Sequence, residues 1–329
     1  MNLDRRIARI KWAFFLVLLV VPARLIWLQI VWSPELLEHP YNNRLAERVE
    51  RRGRILDRDG EVLVQSKGAR RSSPHGTLTA HWTGYHSLRL GLAGGERWKD
   101  RLLRERRGFD QGLSEEESKG RDVRLSVDLG VQRLLAASFP SQKGAGLVVA
   151  LETGQLLAAI SRPEFDPNRV EVDWKSWQSD PDAPLLSRFA LGLYPAGDLW
   201  VAWGDQFQSL SRRTSTMDWT PPLQVEGNWL VSPAQVASTL LAMGESPGLS
   251  QLRTDFGQPW KVSAELERLA WTRDKQGWSW SATARHKKQV VCWAIALNPK
   301  VAVVLLDEQE PLPQRLMARA RLILQRVTY

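Results

Sequence analysis

From Trp12 to Ala23 the chain is uncharged and almost wholly apolar, and Leu25 to Trp32 continues the run, broken only by Arg24 before and Gln29 within. Such a run must be buried, in a protein core or in lipid. As one helix over residues 12–32 it is about 31 Å long, the thickness of a bilayer core. Its flanks are unequal: Arg5, Arg6, Arg9 and Lys11 precede it, and Glu35 and Glu38 follow. The positive-inside rule then places residues 1–11 in the cytoplasm and the bulk outside. Arg24 is costly in lipid and calls for a partner helix or a thinned membrane. A cleaved signal peptide is the alternative; the missing A-x-A-like site and the apolar sequence after Arg24 speak against it. The expectation is a single-pass anchor.

The 329 residues allow one large domain with attachments. A formal net charge of +9 points to anionic partners, among them nucleic acid, acidic lipid and wall polymers. Export of the bulk removes nucleic acid from that set. Cys292 is the single cysteine, so an intramolecular disulfide and a cysteine metal cage are excluded. It reads as a small strand residue. The sixteen Trp show no repeat and read as packing residues. No cofactor is expected.

Residues 40–71 are rich in arginine: Arg44, Arg48, Arg51, Arg52, Arg54, Arg58, Arg70 and Arg71. The stretch reads as a solvated basic face, with contact to anionic headgroups as the functional alternative. Within it, Arg52-Gly53-Arg54-Ile55-Leu56-Asp57-Arg58-Asp59-Gly60-Glu61-Val62-Leu63 predicts strand, turn and strand, with Asp59-Gly60 at the turn. The glycines from Gly76 to Gly95 match neither GxGxxG nor a P-loop spacing. His75, His81 and His86 lack helical i, i+4 pairing and cysteine partners, so surface or packing roles are expected rather than metal binding. The polar residues 114–119 read as a connector.

Beyond it, Arg124–Val127 reads as a strand and Asp128 as the N-cap of a helix through Gln132, Leu135 and Phe139. Gly146–Leu151 and Gln155–Ile160 form a hairpin turned at Glu152-Thr153-Gly154, and Gln289–Leu297 and Val301–Leu306 a second, turned at Asn298-Pro299-Lys300. Leu312, Leu316, Ala320, Ile323 and Val327 keep helical spacing. Strand-rich sequence closed by an amphipathic helix suits an α+β fold, an antiparallel sheet covered by helices.

Many of these words resemble the class B penicillin-binding proteins, the peptidoglycan D,D-transpeptidase family. Arg52–Leu63 is similar to that family's RGxIxDRxGxxLA signature, and Leu28-Gln29 and Asn43-Arg44 to its anchor and juxtamembrane pattern. Residues 74–85 resemble its YPxGxxAAHxxGY run, and residues 91–97 its GxxGLE turn. Ser126-Val127-Asp128, Val131-Gln132, Val149–Gly154 and Ser161–Asn168 follow its transpeptidase domain, and Val231–Ala237 its TPLQxA helix start. The resemblance runs from anchor to last helix. It implies a tail at 1–11, an anchor at 12–32, a truncated pedestal domain at 33–120 and a penicillin-binding transpeptidase/β-lactamase-like domain at 121–329. Too few residues separate Val201 from Gly227 for the family's helical subdomain, so that part is expected to be reduced.

The family's catalytic motifs are S-x-x-K, S-x-N and K-T-G. Leu193–Val201 resembles the nucleophile segment, with Asp198 at the serine position and Val201 at the lysine position. Neither S-x-x-K nor S-x-N occurs anywhere in the chain. Trp280–Ala284 aligns with KTGTA: Trp280 replaces the lysine, Ala282 the glycine, and Thr283 is kept. The resemblance therefore implies a catalytically degenerate homologue in cell-wall synthesis. Its expected role is binding to a SEDS-type glycan polymerase or to division or elongation proteins, with peptidoglycan as a further partner. Arg24, Leu28, Gln29, Arg52, Gly53, Arg54, Asp57, Arg58 and Gly60 are the candidate interaction residues. The alternative is a transpeptidase with displaced chemistry, using Ser281 or Thr283 with Lys287 or Lys288.

Overall fold

The computed structural model describes residues 3–27, 51–68, 70–104, 119–139, 141–199, 223–226, 228–245, 271–275, 277–310 and 312–327. Helix α1, Leu3–Trp27, contains the first part of the apolar run, and Trp12, Phe14, Leu16, Leu18, Ile26 and Trp27 on it are exposed. No helix among the described residues is long and apolar enough to cross a membrane. Residues 28–32 of the expected span, with Leu28 and Gln29, lie outside the described residues. The Arg24 guanidinium lies 4.4 Å from the centre of the Trp27 ring.

The next unit is a small sheet. Strand β1 (Ile55–Leu56) pairs antiparallel with β2 (Val62–Lys67), which pairs with β3 (Arg70–Ser72). The turn expected at Asp59-Gly60 is present. Asp57 Oδ1 accepts from the backbone N–H groups of Asp59 and Glu61 at 2.9 and 2.7 Å, and Gly60 takes φ +94°. A glycine tolerates that angle without the Cβ clash. A minor hairpin, β4 (His86–Ser87) with β5 (Gly91–Leu92), follows. The expected strand at 124–127 is shorter and serves a different sheet: β6 (Val123–Arg124) pairs in parallel with β1. Gly53 permits this close approach, since a Cβ there would lie 2.1 Å from the Arg121 carbonyl oxygen.

The basic stretch is not uniformly solvated. Arg52 and Arg71 are buried, against expectation, because both close on Glu96: Arg52 Nε at 2.6 Å from Oε2 and Arg71 at 2.7 Å from Oε1. Arg52 also reaches Asp100 at 2.7 Å. Pairing and hydrogen bonding make such burial tolerable. Arg54 remains at the surface, forked onto Asp122.

Helix α2 (Leu129–Ser138) starts on Asp128, whose side chain accepts from the Val131 N–H as an N-cap. Strands β7 (Gly144–Ala150) and β8 (Leu156–Arg162) form the first hairpin, and helix α3 (Val170–Ser179) follows. Strand β9 (Tyr194–Pro195) joins β10 (Leu223–Val225) and β11 (Asn228–Val231) in a three-stranded sheet ordered β10-β11-β9, before helix α4 (Pro233–Glu245). Strands β12 (Thr272–Asp274), β13 (Gly277–His286), β14 (Gln289–Leu297) and β15 (Val301–Asp307) complete the main sheet, and helix α5 (Pro313–Arg326) closes the chain.

The main sheet has the order β12-β13-β14-β15-β7-β8 and is antiparallel throughout. Both faces are covered, so β7 and β15 are buried at every position rather than alternating. Residues of one parity, including Val148, Ala294 and Leu305, pack with Leu135 of α2 and Leu316, Ala320 and Ile323 of α5. Residues of the other parity, including Leu147, Trp280, Trp293 and Val304, pack with Ala196, Leu199, Trp229 and Val236. This second layer contains the nucleophile-like segment.

The small sheet and the main sheet meet at Gln132. Its fully buried amide accepts from the Ala159 N–H and donates to the carbonyls of Ala159 and Leu78, each near 2.8 Å. Asn168 fastens a second point, exchanging hydrogen bonds with the Ser73 backbone.

Candidate functional site

Tyr194 and Pro195 enter the site as an edge strand on β11, with Pro195 opposite Leu230 and Tyr194 opposite Val231. The segment is pinned at three places. The Trp293 indole N–H donates to the Pro195 carbonyl at 2.8 Å, in a buried setting. The Ala196 N–H donates to the Trp229 carbonyl at 2.9 Å. The Tyr194 hydroxyl donates to Glu308 Oε1 at 3.1 Å, and Arg188 Nε donates to the same oxygen at 2.9 Å. Burial, reinforced by the Glu308 carboxylate, pushes the Tyr194 phenol far up, so it stays a neutral donor.

Gly197 turns the chain with φ +55°, and a Cβ on it would lie 2.8 Å from Ala284 Cβ on β13. Asp198 follows on the exposed side, and Leu199 is fully buried as a plug. Asp198 makes no side-chain hydrogen bond or ion pair with the described residues. Val201, expected at the lysine position, lies outside the described residues. The frame of the turn is therefore built and rigidly held, while its reactive position carries a solvated carboxylate. A carboxylate there has no proton to lose, and acyl transfer to it yields a labile anhydride.

Strand β13 separates the remaining candidates by parity. Trp280, Ala282 and Ala284 lie on the face of the Gly197 turn, and Trp280 is buried in that layer. Ser281 and Thr283 lie on the opposite face: Ser281 Oγ contacts Met317 Sδ of α5 at 3.8 Å, and Thr283 Oγ1 lies 3.5 Å from Cys292 Sγ. The retained threonine thus faces away from Asp198. Lys287 sits in the turn after β13 with φ +53° and pairs with Glu226 at 3.2 Å. The structure brings neither candidate nucleophile to a base. The Cys292 thiol is raised by burial and donates to the Glu310 carbonyl at 2.8 Å, which fits the inert strand residue expected.

Four of the interaction candidates have roles inside the fold. Arg52 holds Glu96, Gly53 admits β6, and Asp57 and Gly60 shape the turn. Arg54 is paired and exposed, and its guanidinium holds the Asp122 carboxyl below its usual range. Arg188, Glu308 and Trp293 were missing from the expected site residues. Glu308 and Trp293 meet the Tyr194 segment from 114 and 98 positions away, Arg188 acts through Glu308, and no local pattern announces them.

No protein-family profile matches the chain. Among curated proteins it is 30% identical to the peptidoglycan D,D-transpeptidase PbpA of Mycobacterium tuberculosis over 226 residues, 60% of this chain and 45% of that protein. It is 26% identical to the peptidoglycan D,D-transpeptidase MrdA of Escherichia coli over 174 residues, 48% of this chain and 26% of that protein. The matches thus cover less than half the length of these curated relatives. The crystal structure of PBPA from M. tuberculosis superposes with a TM-score of 0.56 at 18% identity, covering 83% of this chain and 98% of that one. Pseudomonas aeruginosa PBP2 superposes at 0.53 and 16% identity, covering 83% and 94%. The sequence words, the helix-covered antiparallel sheet and these likenesses agree: this chain is a class B penicillin-binding-protein-like protein.

Proposed function

We propose that this protein is a non-catalytic component of peptidoglycan synthesis, anchored in the cytoplasmic membrane by residues 12–32, with its bulk outside. It acts by binding a SEDS-type glycan polymerase or another protein of division or elongation. The observation that carries the non-catalytic part is the pairing of an exposed Asp198 on an intact nucleophile-like turn with a buried Trp280 on the facing strand. The nucleophile is absent, and the aligned cationic position is filled by an indole packed into the core. Scaffold and site are separable, so a fold can persist after its chemistry is lost. The apolar, exposed surface of α1 supports the anchor.

Membranes from cells expressing the chain, labelled with a fluorescent penicillin beside an active class B protein, test this reading. The expected result is a labelled control and no band at this protein's mass. A covalent band that disappears on prior denaturation establishes a transpeptidase with displaced chemistry instead. Replacement of residues 12–32 by an unrelated membrane span is expected to abolish co-purification of the polymerase; retained co-purification removes the anchor from the interface.

A further inference from the structure

The positive charge of this chain is concentrated in one unit. Residues 51–125 carry 17 Lys and Arg against 11 Asp and Glu, whereas residues 126–329 carry 21 against 20. The described acids of the small-sheet unit are largely spent on internal partners. Asp57 shapes the turn, Glu96 holds Arg52 and Arg71, Asp100 holds Arg52, and Asp122 holds Arg54. The excess therefore falls on other cations.

Four of them meet at one corner of the unit. The Gly53 N–H donates to the Leu103 carbonyl, the Arg121 N–H to the Leu102 carbonyl and the Gly120 N–H to the Arg51 carbonyl, each at 2.9 Å. Three separate segments are thus knit backbone to backbone. Gly120 allows this, since a Cβ there would collide with the Leu103 carbonyl and lie 2.7 Å from the Gly53 nitrogen. The segments bring Arg101, Arg104, Lys119 and Arg121 to the corner, all exposed, and none of them pairs with a carboxylate among the described residues. Leu102, on the short helical turn Asp100–Leu103, stands between two of these arginines and is 45% exposed.

The cations call for an anionic partner, and the leucine narrows the choice. A soluble polyanion neutralises the charges and leaves Leu102 in water. A bilayer surface offers anionic headgroups at one depth and hydrocarbon just below, so it serves both. The long Arg side chains can keep their charged ends among the headgroups while Leu102 goes deeper. On the reading that residues 12–32 anchor the chain, 18 residues separate that span from Arg51 at this corner. Extended, they reach up to about 60 Å, enough to let the corner meet the same membrane. The tether also makes a weak surface contact intramolecular, which raises its occupancy. We propose that the corner of Arg101, Leu102, Arg104, Lys119 and Arg121 is a second membrane contact, docking the small-sheet unit on the anionic headgroups of the bilayer that holds the anchor. The headgroup contact then lies outside residues 52–71, where Arg52, Arg54 and Arg71 are bound within the fold.

The test uses the full chain in nanodiscs of phosphatidylcholine, alone or with about 30% phosphatidylglycerol, carrying an NBD probe at Lys99→Cys in a Cys292→Ser background. Co-elution with the phosphatidylcholine discs in about 1 M NaCl, where the Debye length is about 3 Å, reads the anchor by itself. A chain lost from these discs refutes the anchor; a retained chain whose probe ignores phosphatidylglycerol refutes the corner. In the retained chain, phosphatidylglycerol is expected to raise NBD emission about twofold at low salt, and about 1 M NaCl to reverse the rise. Arg104→Glu with Arg121→Glu is expected to abolish the rise, and Leu102→Ser to reduce it to about half. Arg285→Glu with Lys288→Glu, the same charge change at the exposed tip of the β13–β14 hairpin, is expected to leave it intact. A rise untouched by Leu102→Ser, or lost equally in the hairpin variant, overturns the docked corner. Polyphosphate added to phosphatidylcholine discs is expected to leave emission low; a rise equal to that with phosphatidylglycerol assigns a soluble polyanion and overturns the bilayer.

Discussion

The indole N–H of Trp293, at the centre of the main sheet, donates to the carbonyl of Pro195 at 2.8 Å across 98 residues of chain. That bond holds the turn that carries Asp198 against the sheet. Trp293 is fully buried, so loss of its N–H leaves the Pro195 carbonyl without a partner. Trp293→Phe is expected to lower the unfolding free energy by about 1–3 kcal/mol, read by urea denaturation of the full chain. An unchanged midpoint and slope remove this bond from the stability of the site.

Gly197 of that turn faces Ala284 on β13, with no room for a side chain between them. Gly197→Ala introduces a Cβ 2.8 Å from Ala284 Cβ and forces a side chain to φ +55°. The left-handed backbone alone costs roughly 1–2 kcal/mol. Combining it with Ala284→Gly is expected to relieve the contact and retain the backbone cost, so the double variant recovers only part of the lost thermal stability. Full recovery shows that steric contact alone was responsible.

Glu96 serves two buried guanidiniums, whereas Asp122 serves one exposed one. Glu96→Gln leaves Arg71 with uncompensated charge and Arg52 with Asp100 as its remaining carboxylate, and is expected to cost about 3–5 kcal/mol. Arg54→Ala, at the solvent-screened pair, is expected to cost less than about 1 kcal/mol despite its short contacts. Thermal unfolding of the two variants side by side checks the contrast; equal losses contradict it.

His81 makes stability depend on pH. Burial, opposed by its bond to Pro163 and aided by the nearby Arg188 charge, lowers its pKa from 6.5 to about 4. The unfolded chain therefore binds this proton first as pH falls. The contribution is complete above pH 6.5 and is lost as pH drops towards 4, on the order of 3 kcal/mol in total. His86, also lowered by burial, acts in the same direction. His81→Phe is expected to flatten the fall in melting temperature between pH 7 and pH 4. An identical slope in that variant assigns the effect elsewhere.

Local order was legible in the amino-acid sequence because it depends on neighbours along the chain. The Asp128 cap, the Asp59-Gly60 turn, both long hairpins and the closing helix follow from residues a few positions apart, and the structure places them as expected. The motif-like words around Asp198 and Trp280 were legible for the same reason. Tertiary structure alone decided what depends on distant partners. Alternation along β13 tells that Trp280 and Thr283 occupy opposite faces, but only the packing of α5 on one face and the Gly197 turn on the other decides which face is which. Arg52 and Arg71 read as solvated charge until Glu96 arrives from across the fold. The parallel pairing of β6 with β1 and the basic corner at Leu102 likewise arise where separate segments meet. Propensity and turn chemistry act over a few residues; burial, charge pairing and cavity shape belong to contacts that form only when the chain has closed on itself.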